Sequence, residues 1–60
     1  MKTIIGGELY VLSTALSGEQ VWLPESTRQY WWGRDFYTAQ DAIDFAGAIL
    51  ENYSVKASIK

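Results

Sequence analysis

The sequence predicts a small α+β fold: a mostly antiparallel sheet of three or four strands with one helix packed on one face, in the order β-β-β-α-β. Three observations predict it: strand-like segments in the first half, an amphipathic helical arc over residues 38–52, and an unbroken polar–apolar alternation over residues 54–60. With 60 residues there is room for one domain, residues 1–60, and a domain of this size buries only about 60% of the surface its unfolded chain exposes.

Residues 9–15 and 20–23 are rich in β-branched, aromatic and aliphatic side chains, and Leu16-Ser17-Gly18-Glu19 between them carries Ser and Gly where a chain reversal needs them. This predicts a hairpin. Period-2 alternation sorts its first strand into Leu9, Val11 and Ser13 on one face and Tyr10, Leu12 and Thr14 on the other; the second strand offers Val21 and Leu23 against Gln20 and Trp22. Pro24 interrupts the pattern because it cannot donate to a central ladder, and strand-like composition resumes at residues 28–32 as a third strand ended by Gly33. Residues 1–5 are a candidate fourth strand. Gly6-Gly7 would then form a kink or a tight turn.

Thr38 followed by Asp41 is a helix start signal, in which the hydroxyl can accept from a free backbone N–H and the carboxylate favours the positive end of the helix. At 100° per residue, Ala39, Ala42, Ile43, Phe45, Ala46, Ile49, Leu50 and Tyr53 form one arc, and Gln40, Asp41, Asp44 and Glu51 lie opposite. The alanines permit close approach to a sheet, and Phe45, Ile49 and Leu50 fill the space beyond them. In the last strand Val55, Ala57 and Ile59 are expected to face the helix, with Lys56 and Lys60 in water.

Composition excludes several functions. Without Cys or His there is no disulfide, no thiolate chemistry and almost no route to a zinc or iron site, so neither metal nor cofactor is expected. General acid–base catalysis lacks its usual residue, no carboxylate pair sits in an apolar setting, and no phosphate-cradling glycine motif occurs; a non-enzyme is expected. Seven acids against five bases, a net charge of −2, make binding to a nucleic-acid backbone unfavourable. No stretch approaches the roughly 20 apolar residues of a membrane span, and the apolar start at Ile4-Ile5 stops at Gly6-Gly7, short of a signal peptide, which points to the cytoplasm. Asn52-Tyr53-Ser54 matches a glycosylation sequon but falls at the end of a packed helix.

Five aromatic residues crowd the eight positions from Tyr30 to Tyr37, more than one helix and a small sheet can cover. Tyr30, Trp31, Trp32 and Arg34 are therefore the first candidates for contact with a partner, followed by Trp22 and Tyr10, which with Leu12 and one of Trp31 or Trp32 are expected on an uncovered sheet face, and by Arg28, which like Arg34 flanks the aromatic run. Asp41, Asp44 and Glu51 form an acidic helix face that could meet a basic groove or could be merely solvated. Three readings of the aromatic face remain open: a protein partner, a homodimer that sandwiches two such faces, or stacked bases of a single-stranded nucleic acid.

The segment Phe36-Tyr37-Thr38-Ala39-Gln40-Asp41-Ala42-Ile43-Asp44-Phe45-Ala46 resembles small proteins of phages and other mobile elements, in which an aromatic strand leads through a Phe-x-Thr turn into an Ala-Phe-Ala helix and a closing strand. The resemblance covers residues 28–60. Proteins of this kind include anti-CRISPR inhibitors, and the resemblance implies a non-catalytic inhibitor that occludes a surface of a bacterial defence complex in the host cytoplasm.

Overall fold

The computed structural model describes residues 1–57 and shows an α+β arrangement. Four strands, β1 (Lys2–Ile5), β2 (Glu8–Thr14), β3 (Gln20–Pro24) and β4 (Val55–Ala57), form one antiparallel sheet in sequence order. Between β3 and β4 come a 3-10 turn (Glu25–Thr27), a one-turn helix α1 (Arg28–Trp31), helix α2 (Ala39–Phe45) and a π turn (Ala46–Leu50). Ile59 and Lys60, assigned above to the last strand, lie outside the described residues.

Residues 1–5 do join the sheet. Gly6 and Gly7 both take positive φ, 57° and 82°, the backbone that a two-residue hairpin requires and that only glycine adopts without strain. Register places Val11 opposite Leu23 and Ser13 opposite Val21, so the face predicted for Leu9, Val11 and Ser13 is the one that α2 covers. Ala39, Ala42 and Ala46 are fully buried there against Val11, Val21 and Leu23, with Trp31 and Phe36 closing the cluster. Cβ-sized side chains let the helix approach the strands closely, and the larger rings fill what remains.

The helix begins as its sequence requires. Thr38 Oγ1 accepts from the Asp41 N–H at 3.3 Å, and Asp41 Oδ2 accepts from the Thr38 N–H at 3.1 Å, a reciprocal capping box. The β2–β3 turn holds this end in place: Leu16 N–H donates to Phe36 O, Ser17 N–H to Tyr37 O, and Ala39 N–H to the Glu19 carboxylate.

Three expectations are corrected. Residues 28–32 are not a strand. Pro24 ends the β3 ladder, the 3-10 turn redirects the chain, and helical spacing then pairs Glu25 with Arg28 and Arg28 with Trp32. The helix over residues 38–52 is α-helical only to Phe45; the π turn follows, and Glu51 ends it in a left-handed conformation with φ 56°. One extra residue per turn rotates the arc, so Ile49 and Tyr53, placed by period 3.6 on the buried side, are exposed. Finally, Val55 pairs with Trp22 and Ala57 with Gln20, which puts them on the face away from α2. Ser54, not Val55, takes the buried position under the helix side, because the strand enters one residue out of phase with its apolar pattern.

Candidate functional site

Pro24 shapes the region from which the candidate site rises. The Met1 carbonyl accepts from Leu12 N–H, so by alternation the backbone groups of Trp22, Gln20 and Pro24 point towards β4. Pro24 has no N–H to offer, and its carbonyl is taken instead by Trp31 Nε1–H at 2.9 Å and by the Thr27 hydroxyl at 3.2 Å. These two bonds roll α1 over the end of the sheet with the Trp31 indole inward, 3% exposed.

Trp32 is thrown outward by the next step of backbone. It follows α1 at φ −63°, ψ 128°, Gly33 follows at φ 79°, and Arg34 N–H donates to Trp31 O at 3.0 Å, which together make a type II turn. The corner of such a turn projects its side chain into solvent, and Trp32 is 63% exposed. The Arg28 guanidinium lies 4.0 Å from its ring centroid, and Arg28 is also 3.6 Å from Glu25. Arg34 stacks in the same way, 4.5 Å from the ring centroid of Phe45, which in turn packs on Phe36. Stacked guanidiniums keep their N–H edges free for acceptors.

On the other side of α1, Tyr30, 58% exposed, forms one wall of a shallow cleft of about 360 Å³; Thr27, Ile49 and Leu50 complete it. The cleft exists because the π turn swings Ile49 outward to 65% exposure. Period-3.6 reasoning hid Ile49 in the core, and nothing in the residue pattern distinguishes a π turn there.

The predicted contact residues thus separate. Trp32 with Arg28, and Arg34 on Phe45, lie at and after the end of α1, and Tyr30 stands on its other side with Ile49 and Leu50. Trp31 belongs to the core, and its former equivalence with Trp32 is lost because the segment is a helical turn, not a strand. Tyr10 is on the face away from α2 as expected, yet only 3% exposed: its ring crosses Pro24 and its hydroxyl donates to Tyr53 O. Burial, then Glu8 and then Tyr53, raise its pKa above 10.0. Trp22 is half-buried between Leu12 and Val55. In the acidic face, Asp41 is engaged in the capping box and Asp44 accepts from the Gln40 amide at 2.9 Å.

No group of three or more His, Cys, Asp or Glu side chains able to hold a metal occurs among the described residues, and none of their helices is long and apolar enough to cross a membrane. Compared with protein-family models, with curated proteins and with solved structures, the chain matches none.

Proposed function

We propose that this chain is a non-catalytic protein-binding module that docks through the surface around α1, with Trp32, Tyr30, Arg28 and Arg34 as its contact residues. The observation that carries the reading is Trp32, a large indole held out at the corner of a rigid turn and stiffened by the Arg28 stack. Aromatic and Arg side chains dominate binding hot spots, and an ordered, exposed pair gives up little entropy on docking. A narrower form, a phage-encoded inhibitor of anti-CRISPR type that covers a surface of a defence complex in the bacterial cytoplasm, rests on the resemblance of residues 36–46 to small phage proteins, since residues 28–31 form a helical turn and not the aromatic strand of those proteins.

The test is restoration of phage infection in a bacterium whose CRISPR immunity targets that phage. Wild-type chain should restore plaques and co-purify with the defence complex; Trp32→Ala should do neither while keeping the wild-type circular dichroism. An inhibitor unaffected by Trp32→Ala would remove this surface from the reading, and no restoration across CRISPR types would remove the narrower form.

A homodimer is the second reading, favoured by the directly opposed row Leu12, Trp22 and Val55 on the face away from α2. It predicts twice the monomer mass in light scattering and a concentration-dependent melting temperature.

A further inference from the structure

We infer that β1 is a self-association edge, along which a second copy of this chain adds its own β1 antiparallel and extends the sheet across two molecules. β1 lies at one margin of the sheet, and the bond from Leu12 N–H to the Met1 carbonyl fixes which of its backbone groups face inward. By alternation Met1, Thr3 and Ile5 face β2, while the N–H and C=O of Lys2 and Ile4 point away from it and find no partner among the described residues. Open edge groups of this kind are a template for another strand. The Ile4 side chain beside them is 70% exposed.

The residues of the edge select a second copy as its occupant. A twofold axis at Thr3 sets Lys2 of each copy opposite Ile4 of the other, so every outward N–H and C=O on both copies meets a partner. No lysine faces a lysine in this register: the Lys2 stem covers the exposed Ile4 of the second copy while its ammonium reaches water. On the opposite face Thr3 meets Thr3, and Met1, 83% exposed, meets Ile5. A foreign strand would have to match this row, whereas β1 already matches itself. Strands this short bury less than the roughly 1,200 Å² of a stable complex, so the association is weak and reversible. The edge is separate from the α1 surface and from the Leu12, Trp22 and Val55 face.

The test uses the full chain at concentrations up to millimolar. Sedimentation should show a reversible dimer, and amide exchange should slow with concentration at Lys2 and Ile4 while Thr3 and Ile5, already bonded to β2, change little. Thr3→Cys, in a chain without cysteine, should cross-link on mild oxidation, because a non-hydrogen-bonded pair sets the two Cα atoms about 4.5 Å apart. Ala48→Cys, exposed on the π turn, should not. Ile4→Lys opposes like charges twice and should weaken dimerisation about tenfold, whereas Ile4→Glu, opposite Lys2, should keep it. Both change an exposed side chain, and circular dichroism should match wild type. No association at millimolar concentration, equal cross-linking of the two cysteine variants, or equal dimerisation of Ile4→Lys and Ile4→Glu would overturn the inference. A dimer that ignores Ile4 yet dissociates in Trp22→Ala would also overturn it and assign self-association to the other sheet face. Partner binding and its loss in Trp32→Ala are read separately from all of these.

Discussion

The Tyr10 hydroxyl donates to the Tyr53 carbonyl across the intervening strand β3, at the position where Pro24 has no N–H to give. By the register of β3 and β4, Tyr53 is the residue that would pair with Pro24 if the ladder continued. A phenol from β2 therefore replaces a missing backbone donor, just as the Trp31 indole and the Thr27 hydroxyl occupy the carbonyl of the same proline. Tyr10→Phe leaves a part-buried carbonyl unpaired and should cost about 1–2 kcal/mol, read as a fall of roughly 5–10 °C in melting temperature.

The same bond predicts a pH effect with a definite sign. Burial raises the Tyr10 pKa above 10.0, with Glu8 and Tyr53 adding to it, so the folded chain holds the phenolic proton more tightly than the unfolded chain does. Its contribution to stability is complete below pH 10.0 and is lost as pH rises through the folded-state value. The stability difference between wild type and Tyr10→Phe, measured by denaturant titration, should be constant from neutrality to about pH 9 and shrink above pH 10. A difference that grows with alkaline pH would contradict the bond.

Adjacent tryptophans should behave oppositely. Trp31 is sealed in the core with its N–H satisfied, and truncating a buried ring costs about 3–5 kcal/mol. A chain of 60 residues has only about 3–9 kcal/mol in total, so Trp31→Ala should be largely unfolded or barely stable. Trp32→Ala removes an exposed ring and one cation–π stack, and should move the denaturation midpoint by less than about 1 kcal/mol. Parallel chemical denaturation of the two variants checks both.

Much of this architecture was readable in the residues because local and global signals agree there. Thr38 and Asp41 form the predicted cap, Ala39, Ala42 and Ala46 line the predicted stripe, and the β2–β3 hairpin has the predicted faces. The segment after Pro24 was not readable, since its composition favours a strand while its conformation is decided by side-chain contacts four and seven residues apart that composition does not reveal: Arg28 over Trp32, and the Trp31 indole to the Pro24 carbonyl. For the candidate site, residue type singled out Trp32, Tyr30 and Arg34. Only the turn at Gly33 separates Trp32 from Trp31, and only the π turn brings Ile49 to Tyr30.

Removing one half of the capping box isolates the helix start. In Thr38→Ala the Asp41 N–H loses its acceptor, and the end of α2 that anchors the β2–β3 turn frays; about 1 kcal/mol should be lost. Amide exchange should quicken at Asp41 and Ala42 more than in β2, which would localise the effect to the cap.

The end of the same helical run predicts a gain. Glu51 closes the π turn at φ 56°, donating from its N–H to the Ala46 carbonyl, and Asn52 N–H reaches that carbonyl too, at 2.9 Å. This arrangement stops the run as a Schellman-type cap does, but one residue wider, and it needs a left-handed residue where the sequence supplies a side chain with a Cβ. Such a conformation costs a non-glycine residue about 1–2 kcal/mol, while glycine adds unfolded-state entropy worth up to about 1 kcal/mol. Since Glu51 is exposed and makes no ion pair among the described residues, Glu51→Gly should give a net stabilisation of about 0.5–1 kcal/mol. Glu51→Val, whose branched Cβ fits a left-handed backbone worst, should destabilise by a similar amount, and urea midpoints of the two variants on opposite sides of wild type would establish the geometry at this position.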